Sequence, residues 1–224
     1  LISNNFLCIE TNAFIFIPCF DTNLAYNSLK FSSHFTATKD GKCIAFLILL
    51  FPFFDILGFP FSISEVFQHR NTNKSRELAL GEIQKIKELT ESAGKQLHLY
   101  FSMAFGNPYG EAWSWEEVDF WANRFSEMGV KSIQLSDTTG VATPEIISEL
   151  FAKVPSKYPH INFGAHFHNR YDESYVKLKA AYDQGCRRFD SAIKGIGGCP
   201  MAKDDLIGNT PTEQVFNFMH VEKI

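Results

Sequence analysis

One feature narrows the possible folds more than any other. From residue 56 onward the chain repeats a single unit of short apolar strand, polar loop and helix, with a period of about 30 residues. The helical segments announce themselves by spacing. Glu77 to Leu89 places Leu78, Leu80, Ile83, Ile86 and Leu89 on one face. Ser114 with Glu117 reads as a capping box for a helix that turns Val118, Trp121, Phe125 and Met128 inward. Thr143-Pro144 starts a helix running to about Val154, because proline suits the first helical position. Asp172 caps the next helix, which ends at Gly185, and Thr210-Pro211-Thr212-Glu213 opens the last. Strand candidates lie near residues 8, 46, 57, 100, 133, 162 and 189. Polar residues gather just after each strand, as in a parallel sheet whose C-terminal strand ends carry the chemistry. No G-x-G-x-x-G follows the first strand, which disfavours a dinucleotide-binding open sheet. Gly195-Ile196-Gly197-Gly198 instead follows the last strand, where a barrel grips phosphate. The expected fold is therefore α/β, a TIM (β/α)8-type barrel with about seven strands, one short of closure.

Composition excludes several function classes. The 224 residues suit one domain, 1–224, though residues 1–54 differ in texture, being rich in phenylalanine and poor in helix signals. The net charge of -4, without a basic run, argues against nucleic acid as a partner. Five cysteines, Cys8, Cys19, Cys43, Cys186 and Cys199, include no C-x-x-C pair and point to a reducing compartment. The apolar run from Cys43 to Phe54 is 12 residues long and contains Pro52, too short for a membrane span and better read as buried strand. Leu1 opens the chain without a charged region ahead of an apolar one, so the numbering is expected to begin inside a longer protein.

The chemistry concentrates near the C-terminal end. Gly164-Ala165-His166-Phe167-His168-Asn169 follows Ile161 and Phe163, so the histidines sit at a strand end. Their spacing of two puts both imidazoles on one face, where they can share a metal ion or stand as unrelated hydrogen-bonded residues. Asn209 could add an oxygen ligand from another loop, and Cys199 sits in a glycine-rich turn.

Taken together, several segments resemble the hydroxymethylglutaryl-CoA lyase family. They are Leu135-Ser136-Asp137-Thr138-Thr139-Gly140-Val141-Ala142-Thr143-Pro144, Gly164-Ala165-His166-Phe167-His168, Phe189-Asp190-Ser191-Ala192, Gly197-Gly198-Cys199-Pro200-Met201-Ala202 and Gly208-Asn209. The likeness covers residues 56–217, and the Gly-Gly-Cys-Pro segment sets it apart from the condensing synthases of the same superfamily. It implies His166, His168 and Asn209 as protein ligands of a divalent cation, Mg2+ or Mn2+. It implies Cys199 as the catalytic cysteine on a loop closing over an acyl-CoA, Asp137 as an active-site aspartate, and Glu10 as an active-site glutamate. The implied reaction is cleavage of 3-hydroxy-3-methylglutaryl-CoA to acetyl-CoA and acetoacetate. The alternatives are a synthase joining an acyl-CoA to a 2-oxo acid, or an inactive barrel remnant. The resemblance also implies an acyl-CoA substrate, no nucleic-acid or membrane partner and a possible homodimer. The expected compartment is the cytoplasm, with the mitochondrial matrix as the alternative. The family's first strand ends in Arg-Asp, and residues 1–20 contain no such pair, which agrees with an N-terminal truncation.

Overall fold

The structure, a computed structural model, describes residues 8–9, 15–16, 55–198 and 207–224. Its frame is a parallel sheet. The strands are β1 (Cys8–Ile9), β2 (Ile15–Phe16), β3 (Ile56–Ser62), β4 (Gln96–Ser102), β5 (Ser132–Asp137), β6 (Asn162–Asn169), β7 (Arg188–Phe189) and β8 (Gly208–Asn209). Spatial order along the sheet is β1-β7-β6-β5-β4-β3-β2, and the short β8 lies antiparallel on β6. Among the described residues β1 and β2 form the two free edges, so the sheet is an open, curled part of a barrel. Among the described residues there are seven parallel strands, the expected number, but not the same seven. The pair 15–16 is an addition, and the candidate near residue 46 lies outside the described residues, as does the apolar run 43–54. Among the described residues no helix is long and apolar enough to cross a membrane.

Among the described residues six α-helices accompany the strands: α1 (Glu65–Thr72), α2 (Arg76–Ser92), α3 (Trp115–Glu127), α4 (Pro144–Lys153), α5 (Ser174–Asp183) and α6 (Thr212–Glu222). The period-2 pleat divides each strand between two layers. Phe61 and Phe101 face outward and meet Phe125 of α3 at ring-centroid distances of 4.9 and 5.5 Å, while Phe189 meets Phe218 of α6 at 6.5 Å. Each such fully buried side chain contributes roughly 1.5–3 kcal/mol. The opposite face carries His98, Tyr100, Ser132, Gln134, His166 and Arg188. This lining is polar, and all of it but His166 is buried.

Three local expectations need correction. Ser114 makes no capping hydrogen bond to α3, and Glu117 serves elsewhere, accepting from Arg76 Nη1 at 2.5 Å and Trp121 Nε1 at 3.2 Å. Asp172 falls inside a 3-10 turn, and α5 begins only at Ser174. Thr210 does not cap α6; its hydroxyl donates to Asn169 Oδ1 at 2.7 Å and so ties the chain after β8 to the end of β6. For Glu117 and Thr210 a partner distant in sequence outcompetes the local one. The Thr143 cap is present, its Oγ1 accepting from Ile146 N at 3.4 Å with Pro144 at the first position.

α1 is absent from the sequence reading. Ser64 caps it, accepting from Phe67 N at 3.0 Å. Glu111, from the loop after β4, accepts from the Ser64 hydroxyl and from Val66 N, the latter at 3.2 Å. The anion at the helix start also favours the helix dipole.

Candidate metal and acyl-CoA site

The site is built where β6 ends. His166 and His168 share the inward face of that strand, and their Nε2 atoms lie 3.1 Å apart. His166 Nδ1 is 3.0 Å from Asp190 Oδ2, on the residue just after β7. A carboxylate only accepts, so Nδ1 carries the proton and the His166 Nε2 lone pair faces His168. Burial, and after it the neighbouring His166 and Lys177, push the His168 imidazole down to about 3, so it is neutral at ordinary pH. Its Nδ1 is buried and has no hydrogen-bond partner among the described residues.

Antiparallel pairing places Asn209 of β8 opposite His168. Its Nδ2 donates to the Ile196 carbonyl at 2.9 Å, which turns Oδ1 the other way as an acceptor. The glycines of the neighbouring loop make this approach possible. A Cβ on Gly195 would stand 2.7 Å from the Asn209 carbonyl oxygen, and one on Gly197 would stand 3.0 Å from Asn209 Nδ2. Both glycines have positive φ, +66° and +92°, a region that costs other residues.

These residues fit a divalent cation. Two ligands at right angles and about 2.1 Å from an octahedral ion stand about 3 Å apart, the separation at which the two Nε2 atoms meet. Two neutral nitrogens at that distance otherwise need a proton between them. Among the described residues no group of three His, Cys, Asp or Glu side chains is arranged to hold a metal; the third protein ligand in the expected set is an asparagine.

Asp137 sits differently. It shares the outward face with Ile133 and Leu135 and is 1% exposed. Its Oδ1 accepts from Ala142 N at 3.1 Å and its Oδ2 from Lys177 Nζ at 2.9 Å. Burial pushes its carboxyl upward, opposed by Lys177 and by the N–H groups of Ala142 and Val141. Cys199 and Glu10 lie outside the described residues.

Sequence reasoning missed two residues here. Asp190 was visible only as part of a fingerprint segment, although it follows the strand that neighbours β6. Lys177 carries no signal of its own beyond its place on a helix. It occupies the buried stripe Ser174, Lys177, Leu178, Ala181, which has the i, i+3, i+4, i+7 spacing of a core-facing helix side. Below the histidines, Ser132 Oγ lies 2.6 Å from both His98 Nδ1 and Arg188 Nη1, forming the polar floor of the lumen. Tyr100 bridges floor and site, its ring 4.9 Å from His98 and 5.6 Å from His166.

Comparison with known proteins agrees with this geometry. The HMGL-like family model matches residues 56–224. The cytoplasmic 3-hydroxy-3-methylglutaryl-CoA lyase of Danio rerio is 30% identical over 159 residues, 71% of this chain and 47% of the relative. The mitochondrial hydroxymethylglutaryl-CoA lyase of Homo sapiens is 32% identical over 152 residues, 68% of this chain and 46% of the relative. The names of the relatives thus divide between the two expected compartments. The crystal structure of hydroxymethylglutaryl-CoA lyase from Pseudomonas aeruginosa superposes with a TM-score of 0.73 at 28% identity, covering 80% of this chain and 59% of that one. The chain spans about half the length of the curated relatives it matches.

Proposed function

Because the chain belongs to the HMGL-like family, we propose that its single barrel domain, 1–224, serves a carbon–carbon lyase that cleaves 3-hydroxy-3-methylglutaryl-CoA to acetyl-CoA and acetoacetate with Mg2+ or Mn2+. The observation that carries this reading is the pair of imidazoles meeting Nε2 to Nε2 at 3.1 Å at the C-terminal end of the sheet. The substrate is an acyl-CoA, as the names of the relatives state for those proteins.

The cation, when bound, supplies charge that favours ionisation of the tertiary hydroxyl and holds the adjacent carboxylate. His166, His168 and the Asn209 Oδ1 would hold it, and Asp190 would keep the His166 Nε2 lone pair available. In the retro-Claisen step the hydroxyl proton leaves to a base and the C–O bond becomes the ketone of acetoacetate. The electrons of the broken C–C bond pass into the thioester as an enolate. The Cys199 thiol protonates that enolate to acetyl-CoA. Of the two roles open to Asp137, base for the hydroxyl or fixing of the ligand shell, its occupied oxygens favour the second. Glu10 stands as a further carboxylate of the site, with the base unassigned.

The test is a mass assay of the purified chain with Mn2+, offered either hydroxymethylglutaryl-CoA or acetyl-CoA with 2-oxo acids. Acetoacetate from the first supports the lyase. Condensation products from the second replace it with a synthase. No turnover together with no Mn2+ binding leaves the inactive remnant as the reading.

A further inference from the structure

Lys177 is 3% exposed, yet no step of the proposed reaction uses it. Its ammonium has three protons and three close acceptors: Asp137 Oδ2 at 2.9 Å, the Gly140 carbonyl at 3.1 Å and the His168 carbonyl at 3.2 Å. Glu173 Oε2 stands further off at 3.9 Å. The three acceptors belong to separate pieces of chain: the end of β5, the turn after it and the end of β6. The turn is itself pressed against β6, since a Cβ on Gly140 would come within 3.2 Å of the same His168 carbonyl.

We infer that Lys177 is a positioning residue for the cation site, clamping the ends of β5 and β6 so that the His168 imidazole is held against His166. The inference rests on the metal reading above and adds a residue to it. A surface lysine would be free to swing, whereas this one is buried on the core stripe of α5 and saturated with acceptors. Burying an ammonium is costly and is offset only by such complete pairing. The clamp acts on His168 through its backbone. It fixes where the strand ends and therefore where the side chain starts, while leaving the imidazole nitrogens free for a ligand. Asp137 belongs to the same device: its other oxygen holds the Ala142 N–H, so the carboxylate links the ammonium to the start of the segment that leads into α4.

The experiment is a Mn2+ titration followed by electron paramagnetic resonance of the free ion, on the whole 224-residue chain. Lys177→Met alone leaves the Asp137 carboxylate buried and unpaired, so the informative variant is Lys177→Met/Asp137→Asn, which removes both charges and keeps an oxygen for the Ala142 N–H. Ile83→Ala, in the core contact of α2 and far from the site, controls for general destabilisation. The double variant is expected to unfold cooperatively yet bind Mn2+ 10–100-fold more weakly, the range typical of residues supporting a ligand from behind. Ile83→Ala should bind like the parent. If the folded double variant binds within twofold of the parent, or if Ile83→Ala loses as much, the clamp is merely structural and the inference is overturned. If the parent chain itself binds no Mn2+, the metal reading fails first and the role of Lys177 falls with it.

Discussion

Removal of the Asp190 carboxylate should weaken the site without unfolding the chain. Asp190 Oδ2 and His166 Nδ1 are 3.0 Å apart, with side-chain exposures of 13% and 26%, so water competes only weakly for the contact. Hydrogen bonds to charged groups in such settings are worth about 1.5–3 kcal/mol. At 1.4 kcal/mol per tenfold, Asp190→Ala should weaken Mn2+ binding by roughly 10- to 100-fold. Asp190→Asn separates charge from geometry. Its amide can present N–H to Nδ1, which moves the His166 proton to Nε2, the nitrogen needed for the cation. The asparagine variant should therefore be no better than alanine, although it is nearly isosteric. The backbone of Asp190 is anchored independently, its N–H donating to the Ala165 carbonyl at 3.0 Å, so neither change should disturb β7. Mn2+ affinity by calorimetry at pH 7.5, with circular dichroism as the fold control, decides the matter. Full affinity in the asparagine variant, or alanine within twofold of the parent, would refute the reasoning.

Gly164→Ala should cost about 2–4 kcal/mol in urea unfolding, because its Cβ would lie 2.2 Å from Gln134 Oε1 and displace a side chain whose Nε2 donates to the Ala165 carbonyl at 2.8 Å; a loss below about 0.5 kcal/mol would mean that Gln134 moves freely. His98 provides a pH test: burial first, then Arg188, push it from 6.5 down to about 3. Its folded pKa is the lower one, so the unfolded chain takes the proton first; stability is complete above 6.5, declines between 6.5 and about 3, and is constant below that. At pH 4.5 the loss is about 2–3 kcal/mol, and His98→Asn should abolish that component of acid sensitivity; equal slopes of urea midpoint against pH in parent and variant would contradict it. Cys199→Ala should cut acetoacetate release at least about 100-fold while leaving Mn2+ affinity intact, and a parallel loss of both would move Cys199 from proton donor to structural support.

How much of this was legible in the sequence depended on whether the deciding contact was local. The strand–helix rhythm could be read because the outward strand positions, such as Phe61, Phe101 and Ile133, are apolar and the helices carry regular stripes facing them. α1 could not be read that way. Only Phe67 and Gln68 are buried in it, and its start is fixed partly by Glu111, 47 residues from Ser64. The capping box at Ser114 failed for the same reason, since Arg76 from another helix claims Glu117. The His-x-His spacing was informative because one strand carries both residues. The third partner, Asp190, comes from a neighbouring strand, and that pairing is set by the sheet order.

The pleat explains why two aspartates near the strand ends face opposite ways. On β5, Ser132, Gln134 and Ser136 take the lumen positions, so Asp137 turns outward into the helix layer, where only a buried cation such as Lys177 can accompany it. Arg188 points into the lumen beside His98, and Asp190, two residues on, keeps that direction and reaches His166. A carboxylate facing the lumen can orient a ligand directly, whereas one facing the helices acts by fixing where strands end. The two kinds of support make different predictions. Loss of Asp190 should change the protonation of a ligating nitrogen, with the asparagine variant as damaging as alanine. Loss of the Lys177–Asp137 clamp should change the placement of the His168 backbone, so charge-neutral replacement of both partners restores the fold without restoring affinity. If the two sets of variants gave the same pattern, the division of the sheet into lumen and helix faces would not be what separates their roles.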